Sequence, residues 1–248
     1  MNNALYVGLS RQMTLQRQMN IIANNIANSD TVGFKAEGLV VGEDVERPAT
    51  KGFSPIGINS KVSFVHDAGM GRDFAQGGLK QTGGTFDLAL HGDGFFQVQT
   101  ANGNRLTRDG RFTLNAQGQI VDGAGDPVLS STGNPINIDP IKTAPQIARD
   151  GTISQDGVIA GKIGVFKVAD RSQLNKQGDG LLDTGGQTPT ADAPAKIEQG
   201  MIENSNVDPI LMMTQMVSVS RAYEQVANMM SETGSLSDES IQRLGKVN

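Results

Sequence analysis

Cysteine and tryptophan are both absent from this 248-residue chain, and histidine occurs only as His66 and His91. Without cysteine there is no disulfide frame, no thiolate nucleophile and no Cys-ligated zinc. A cysteine-free chain also suits export through changing redox environments. A Ser-His-Asp site would need one of the two histidines, and no nucleophile-elbow motif is present. His91 precedes a turn at a strand end and reads as a surface residue. Positive charge is not in excess: 21 Lys and Arg stand against 26 Asp and Glu, a net charge of −5 that offers nucleic acid no basic footprint. No run of about 18 apolar residues exists to span a membrane. The N-terminus lacks a charged n-region, a compact apolar core and a small-residue cleavage site, so no cleaved secretory signal is expected. Gly69-Met70-Gly71-Arg72-Asp73-Phe74 begins like a dinucleotide loop but lacks the third glycine and a following amphipathic helix. Asp150, Ser154 and Asp156 do not match calcium-loop spacing. The remaining carboxylates are scattered among Gly and Asn as turn residues, with no acid/base pair. No catalytic residue, cofactor or metal is expected.

What the chain does have is a patterned helix at each end. Leu5, Leu9, Leu15, Met19, Ile22 and Ile26 recur at helical steps and form one stripe. An amide ridge, Gln12, Gln16, Asn20, Asn24 and Asn28, lies off that stripe. Residues 18–29 carry no charge. A helix facing only water normally dresses its outer face with Lys and Glu. Amides, among them Asn24, Asn25 and Asn28, suit contact with other protein surfaces instead. The spacing predicts a stop at Asn28-Ser29-Asp30 and a turn through Gly33, with Phe34 as anchor. At the other end, Met212, Met216, Val219, Tyr223, Val226 and Met230 are spaced four, three, four, three, four, a heptad seam. Asp208-Pro209 opens this helix with a cap and a first-turn proline. Ile210, Met213 and Val217 form a second stripe, and residues 209–220 are again uncharged. Pairing the two helices covers one stripe on each. The rest stays exposed on a single chain, which points to assembly with further copies. The tail after Gly234 is polar, with a short separate helix expected over 238–244.

Between the ends, 31 glycines, 9 prolines and few aromatics predict many turns and thin β layers. Residues 37–57 read as an extended linker with short strands, and Val62–Val65 as one strand. Phe86, Leu88 and Leu90 alternate with polar or small residues. Gly92-Asp93-Gly94 turns the chain into Phe95-Phe96-Gln97-Val98, and Asn102-Gly103 and Asp109-Gly110 are hairpin signals. Even spacing of the following short strands predicts an antiparallel sandwich or barrel-like sheet. Arg108-Asp109-Gly110 is echoed by Arg149-Asp150-Gly151. Residues 196–203 read as a last strand. The expected fold is α+β and mainly β: long N- and C-terminal helices pair in a coiled-coil-like terminal domain, with an antiparallel β domain inserted between them. The expected limits are 1–35 and 205–248 for the helical domain, 36–80 and 190–204 for linkers with short strands, and 81–189 for the outer β domain.

Three blocks of residues resemble one family. Ala23-Asn24-Asn25-Ile26-Ala27-Asn28 with Thr31-Val32-Gly33-Phe34-Lys35 is similar to the N-terminal signature of bacterial flagellar rod and hook proteins. Gly92-Asp93-Gly94-Phe95-Phe96, then Thr107-Arg108-Asp109-Gly110 and Phe112, resembles their β-domain signature. Glu203-Asn204-Ser205-Asn206-Val207, Met216-Val217 and Arg221-Ala222-Tyr223-Glu224 resembles their C-terminal signature, with Ser220 where the family often has Gln. The resemblance implies a structural subunit of the flagellar axis, in the rod that crosses the periplasm, whose terminal helices form an inner tube. It implies partners among other copies of the chain, other flagellar rod proteins and the flagellar type III export apparatus, and export without a cleaved signal. It implies no nucleic acid and no membrane insertion. Length and the opening Tyr6-Val7-Gly8-Leu9-Ser10-Arg11-Gln12-Met13 are closest to the family's proximal-rod branch, with the distal-rod branch as the alternative. An alternative of another class is a β-rich ligand-binding or adhesin-like protein with helical oligomerisation arms. The expected assembly residues are Leu5, Leu9, Leu15, Met19, Ile22, Ile26, Asn24, Asn25 and Asn28 with Met212, Met216, Val219, Tyr223, Val226 and Met230.

Overall fold

The computed structural model describes residues 2–46, 62–191 and 195–245. The chain is mainly β with a helix at each end, α1 over Asn2–Ala27 and α2 over Pro209–Gly245. α1 stops where its apolar period stops, and the Thr31 amide then donates to the Asn28 carbonyl at 3.2 Å to tighten the turn. α2 opens on Asp208, whose Oδ1 accepts from the amides of Ile210 at 2.9 Å and Leu211 at 3.1 Å. Pro209 follows in the first turn, where its missing N–H has no intrahelical partner to lose. The short helix expected over 238–244 is not a separate element: α2 runs unbroken past Gly234 to Gly245. A single glycine costs a helix only about 1 kcal/mol, and no proline follows to enforce a stop.

Two compact units divide the chain. The first gathers Met1–Ala27, Glu37–Asp73 and Asp208–Asn248. It holds both helices and an antiparallel ribbon of β1 (Glu37–Glu46) and β2 (Val62–Arg72), in register from Glu37 opposite Arg72 to Glu46 opposite Val62, with a bulge between Val40 and Val41. This ribbon is much longer than the short strands expected from the sequence. Gly38, Gly42, Gly69 and Gly71 hide the strand pattern there, because a strand glycine weakens the alternation on which such a reading depends. Residues 47–57 of the expected linker lie outside the described residues. A two-stranded ribbon is marginal alone, and Asn25 of α1 holds its start: Nδ2 donates to the Glu37 carbonyl at 2.7 Å and Oδ1 accepts from the Glu37 amide at 2.9 Å.

The second unit comprises Asn28–Ala36 and Phe74–Val207. All its strand pairs are antiparallel. Its largest sheet has the order Asn175–Lys176, Leu181–Asp183, Gly103–Thr107, Phe96–Thr100. The Asn102-Gly103 hairpin forms as expected, with Thr100 opposite Gly103. Asp109-Gly110 does not form a hairpin. Asp109 Oδ1 instead accepts from the Arg111 amide at 3.0 Å, a local turn of the kind Asp side chains favour. Asp150 Oδ1 accepts from the Thr152 amide at the same 3.0 Å, so the Arg-Asp-Gly echo shares this side-chain bond, although Gly151 has φ +88° and Gly110 has no positive φ. The expected last strand is broken at Gly200 (φ +73°) into Lys196–Gln199, paired with Leu88–His91, and Met201–Glu203, paired with Leu79–Gln81.

Adjacent strand residues point to opposite faces, and here both faces are covered. Phe96 joins one core with Leu88, Leu90, Val98, Phe112, Ile120 and Ile153, while Phe95 joins another with Leu106, Phe166, Leu174 and Leu182. Edge-on ring pairs reinforce each core, Phe96–Phe112 at 5.1 Å and Phe74–Phe95 at 5.8 Å between centroids. Leu88, Ala89 and Leu90 are all buried too, where the sequence predicts apolar residues alternating with polar or small ones.

Candidate assembly interface

The two predicted stripes meet within the first unit. Leu15, Ile22 and Val219 are buried together, and Met19, Ile26, Met212, Met216, Tyr223 and Val226 pack partly buried around them. Met230 lies over Gly8. Asn25, off the apolar stripe, is buried, with its amide nitrogen also 3.8 Å from the Met212 sulfur. Leu9 is exposed, as is Asn24. Asn28 lies in the second unit, half-buried, and accepts from the Thr31 hydroxyl at 3.2 Å. The side chain of Leu5 lies outside the described residues.

Covering one stripe leaves another bare. Tyr6, Leu9 and Met13 lie at steps of three and four on α1, and Ile210, Met213 and Val217 do so on α2, all exposed. Val217 is 51% exposed against 7% for Val219, two positions further on. Exposed Leu211 and Met229 extend the apolar surface of α2. The α2 stripe is the second one expected from the sequence, whereas Tyr6, Met13, Leu211 and Met229 are not among the expected assembly residues. The lack of charge over 209–220 was the signal available, since it implies that no face of that segment is built for water.

A second feature escaped the sequence entirely. Lys35, Arg108 and Glu203 are all buried in the second unit, with Lys35 Nζ 2.6 Å and Arg108 Nη1 3.0 Å from the Glu203 carboxylate. Burial pushes the Arg108 pKa down, and the Glu203 carboxylate opposes that by favouring the charged guanidinium. No spacing rule foreshadows this cluster, because its members are brought together only by the fold.

A cleft of about 580 Å³ in the same unit is lined in part by Phe34, Asp109, Arg111, Lys176 and Asp179. Its cations are already engaged: Arg111 Nη2 meets Asp109 Oδ2 at 2.6 Å, and Lys176 Nζ sits 4.8 Å from the centre of the Phe34 ring. The hydrogen bond to Asp109 raises the Arg111 pKa. Among the described residues, no three His, Cys, Asp or Glu side chains gather closely enough to hold a metal ion. No described helix is long and apolar enough to cross a membrane.

Three family models match the chain. Residues 5–35 match the flagella basal body rod protein model, residues 89–160 the D1 domain of the flagellar hook protein FlgE/F/G, and residues 198–243 the C-terminal region of the flagellar basal body rod FlgEFG protein. Among similar proteins, the flagellar basal-body rod protein FlgF of Caulobacter vibrioides is 47% identical over the full length of both chains. The FlgF of Mesorhizobium japonicum is 37% identical over 99% of both, and the rod protein FlgG of Bacillus subtilis 31% identical over 98% of both. With such identity held from one end to the other, the chain belongs to the family of flagellar basal-body rod proteins, structural subunits rather than enzymes.

Proposed function

We propose that this rod subunit assembles through its two terminal helices, which pair as a short coiled-coil-like hairpin and dock sideways on other copies and on other rod proteins. The observation that carries this reading is a bare apolar stripe on each helix beside the filled seam: Tyr6, Leu9 and Met13 on α1, and Ile210, Met213 and Val217 on α2. Exposed apolar surface of this extent is characteristic of sites that another protein covers. Leu15, Ile22 and Val219 then serve the pairing within a subunit, while the exposed stripe serves contacts between subunits. The helices form the inner wall of the rod in the periplasm. Higher identity to the FlgF relatives than to the FlgG relative favours a place in the proximal rod. The chain reaches the rod through the flagellar type III apparatus, and a lightly packed helix pair is easily unfolded for that passage.

Assembly of the purified full-length chain with its rod partners, followed by electron microscopy, tests the reading. Axial particles are expected from the natural chain. Val217→Asp is expected to abolish them while leaving the free subunit folded, and normal particles from that variant would refute a role for the stripe.

A further inference from the structure

The chain leaves α1 through Asn28–Ala36 and returns toward α2 through Met201–Glu203 and the residues that follow, and both passages close on one carboxylate. Glu203 Oε1 accepts from Lys35 Nζ at 2.6 Å and from the Gly77 amide at 2.9 Å, and Oε2 accepts from Arg108 Nη1 at 3.0 Å. The backbone carbonyl of Glu203 accepts from the Gly33 amide at 2.7 Å. An outer ring of bonds repeats the pattern. The Ala75 carbonyl accepts from Lys35 Nζ at 2.7 Å and from Asn206 Nδ2 at 3.1 Å, and Asn206 Oδ1 accepts from the Ala36 amide at 2.7 Å. The Asn204 amide donates to the Gly78 carbonyl at 2.9 Å. The outgoing and returning segments thus hold each other.

The charges make this arrangement conditional. The side chains of Lys35, Arg108 and Glu203 are at most 4% exposed, so two cations share one carboxylate out of reach of water. Arg108 Nε has no hydrogen-bond partner; Nη2 donates to the Gly92 carbonyl at 2.9 Å, and the guanidinium carbon lies 5.3 Å from the centre of the Phe95 ring. A buried charge that loses its counterpart is strongly destabilised. We propose that Lys35, Glu203 and Arg108 form a latch that makes the seating of the outgoing and returning segments a single all-or-none event, so that losing one member frees both. The three resembling sequence blocks each contribute one member: Lys35 closes the first, Arg108 lies in the second and Glu203 opens the third. The latch rests on geometry within the second unit and is independent of how the helices assemble.

Hydrogen exchange on the intact chain, read amide by amide, tests it. In Glu203→Gln, which keeps the shape and removes the charge, the amides of Gly33, Ala36, Gly77 and Asn204 are expected to exchange together, about tenfold or more faster, as fits the loss of a hydrogen-bonded charge. Amides of the Phe96–Thr100 strand are expected to keep their rates. Lys35→Met is expected to accelerate the same four amides, although its side chain bonds to neither Gly77 nor Asn204. Glu198→Gln, which removes the solvent-facing partner of Arg149, is expected to leave them unchanged. Acceleration confined to Gly33 and Ala36 in Lys35→Met would overturn the latch, because the contacts would then be independent. Equal acceleration of the Phe96–Thr100 strand would overturn it too, since the triad would belong to the global core. Should Glu203→Gln not fold, Lys35→Met decides alone, with Lys35→Arg expected to restore most of the protection.

Discussion

Gly33 carries two constraints at once. Its φ of +69° is a conformation that side chains rarely adopt, and a Cβ there would lie 2.5 Å from the Arg108 carbonyl carbon and the Asp109 nitrogen. Gly133 shares the conformation, with φ +83°, but opens onto free space. Gly133→Ala should therefore meet only backbone strain, about 1–2 kcal/mol. Gly33→Ala should add a collision with main chain that cannot move aside, and should lower the melting temperature of the β unit clearly more. Thermal melts followed by circular dichroism compare the two, and equal losses would show that the close approach to Arg108 is not limiting. Gly77 is constrained by packing alone, since a Cβ there would run into the Asn204 carbonyl oxygen. Asp93 offers a test of charge. A hydrogen bond from Arg171 is the first cause holding its carboxyl below the ordinary value of 3.8. A depressed carboxylate contributes stability that is complete above its unfolded pKa and fades as pH falls through the folded one. NMR titration should therefore place Asp93 below 3.8, and Arg171→Ala should move it upward.

At the scale of elements, α2 presents one stripe to α1 and another to solvent, and substitutions should separate the two. Val219→Asp places a charge among Leu15 and Ile22, with a cost of several kcal/mol while it stays buried and unpaired. It should loosen the helix pair in the free subunit, seen as lost helical signal. Val217→Asp, on the exposed stripe, should change the stability of the free subunit by no more than about 0.5 kcal/mol. Equal losses of helix in both variants would show that α2 is not divided in this way. The long α2 and the β1–β2 ribbon also mark where local sequence rules weaken. One isolated glycine costs a helix too little to end it, and a glycine-rich strand pair takes its state from its context more than from its own propensity.

For the whole molecule, burial is unevenly shared. The β unit encloses two apolar cores, whereas the helix pair has Leu15, Ile22 and Val219 at its centre with partly exposed neighbours. Backbone ordering costs about 1–2 kcal/mol per residue, so a pair this thinly packed gains little margin alone. In a dilute monomer, amides of residues 15–26 and 212–226 should exchange far faster than those of the Phe96–Thr100 and Gly103–Thr107 ladder. Equal protection would show that the pair is complete without partners. The β unit should also fold alone, provided its full perimeter is kept. A fragment of residues 28–207 retains Lys35, while one of residues 36–205 strands Glu203 and Arg108 with one cation fewer. Losing a member of a buried charge cluster costs about 3–5 kcal/mol, which in a domain of this size lowers the melting temperature by about 10 °C.

Much of this protein follows from short-range pattern. The α1 stripe through Leu15, Met19, Ile22 and Ile26, the heptad of α2, the Asp208-Pro209 cap and the Asn102-Gly103 hairpin each depend on neighbours within a few residues, so periodicity and turn chemistry declare them. The same is true of the three sequence blocks that carry the family resemblance. Tertiary structure decided what periodicity cannot express. Leu88 and Leu90 enter one core, and Ala89 between them is buried as well, which alternation alone does not express. The Asp109-Gly110 pair is a local turn because no strand returns beside it. Lys35, Arg108 and Glu203 are far apart in the chain and carry no mutual spacing. Their pairing exists only once Gly33, Gly77 and Asn206 have brought the outgoing and returning segments together, since a buried charge takes its meaning from what surrounds it in space.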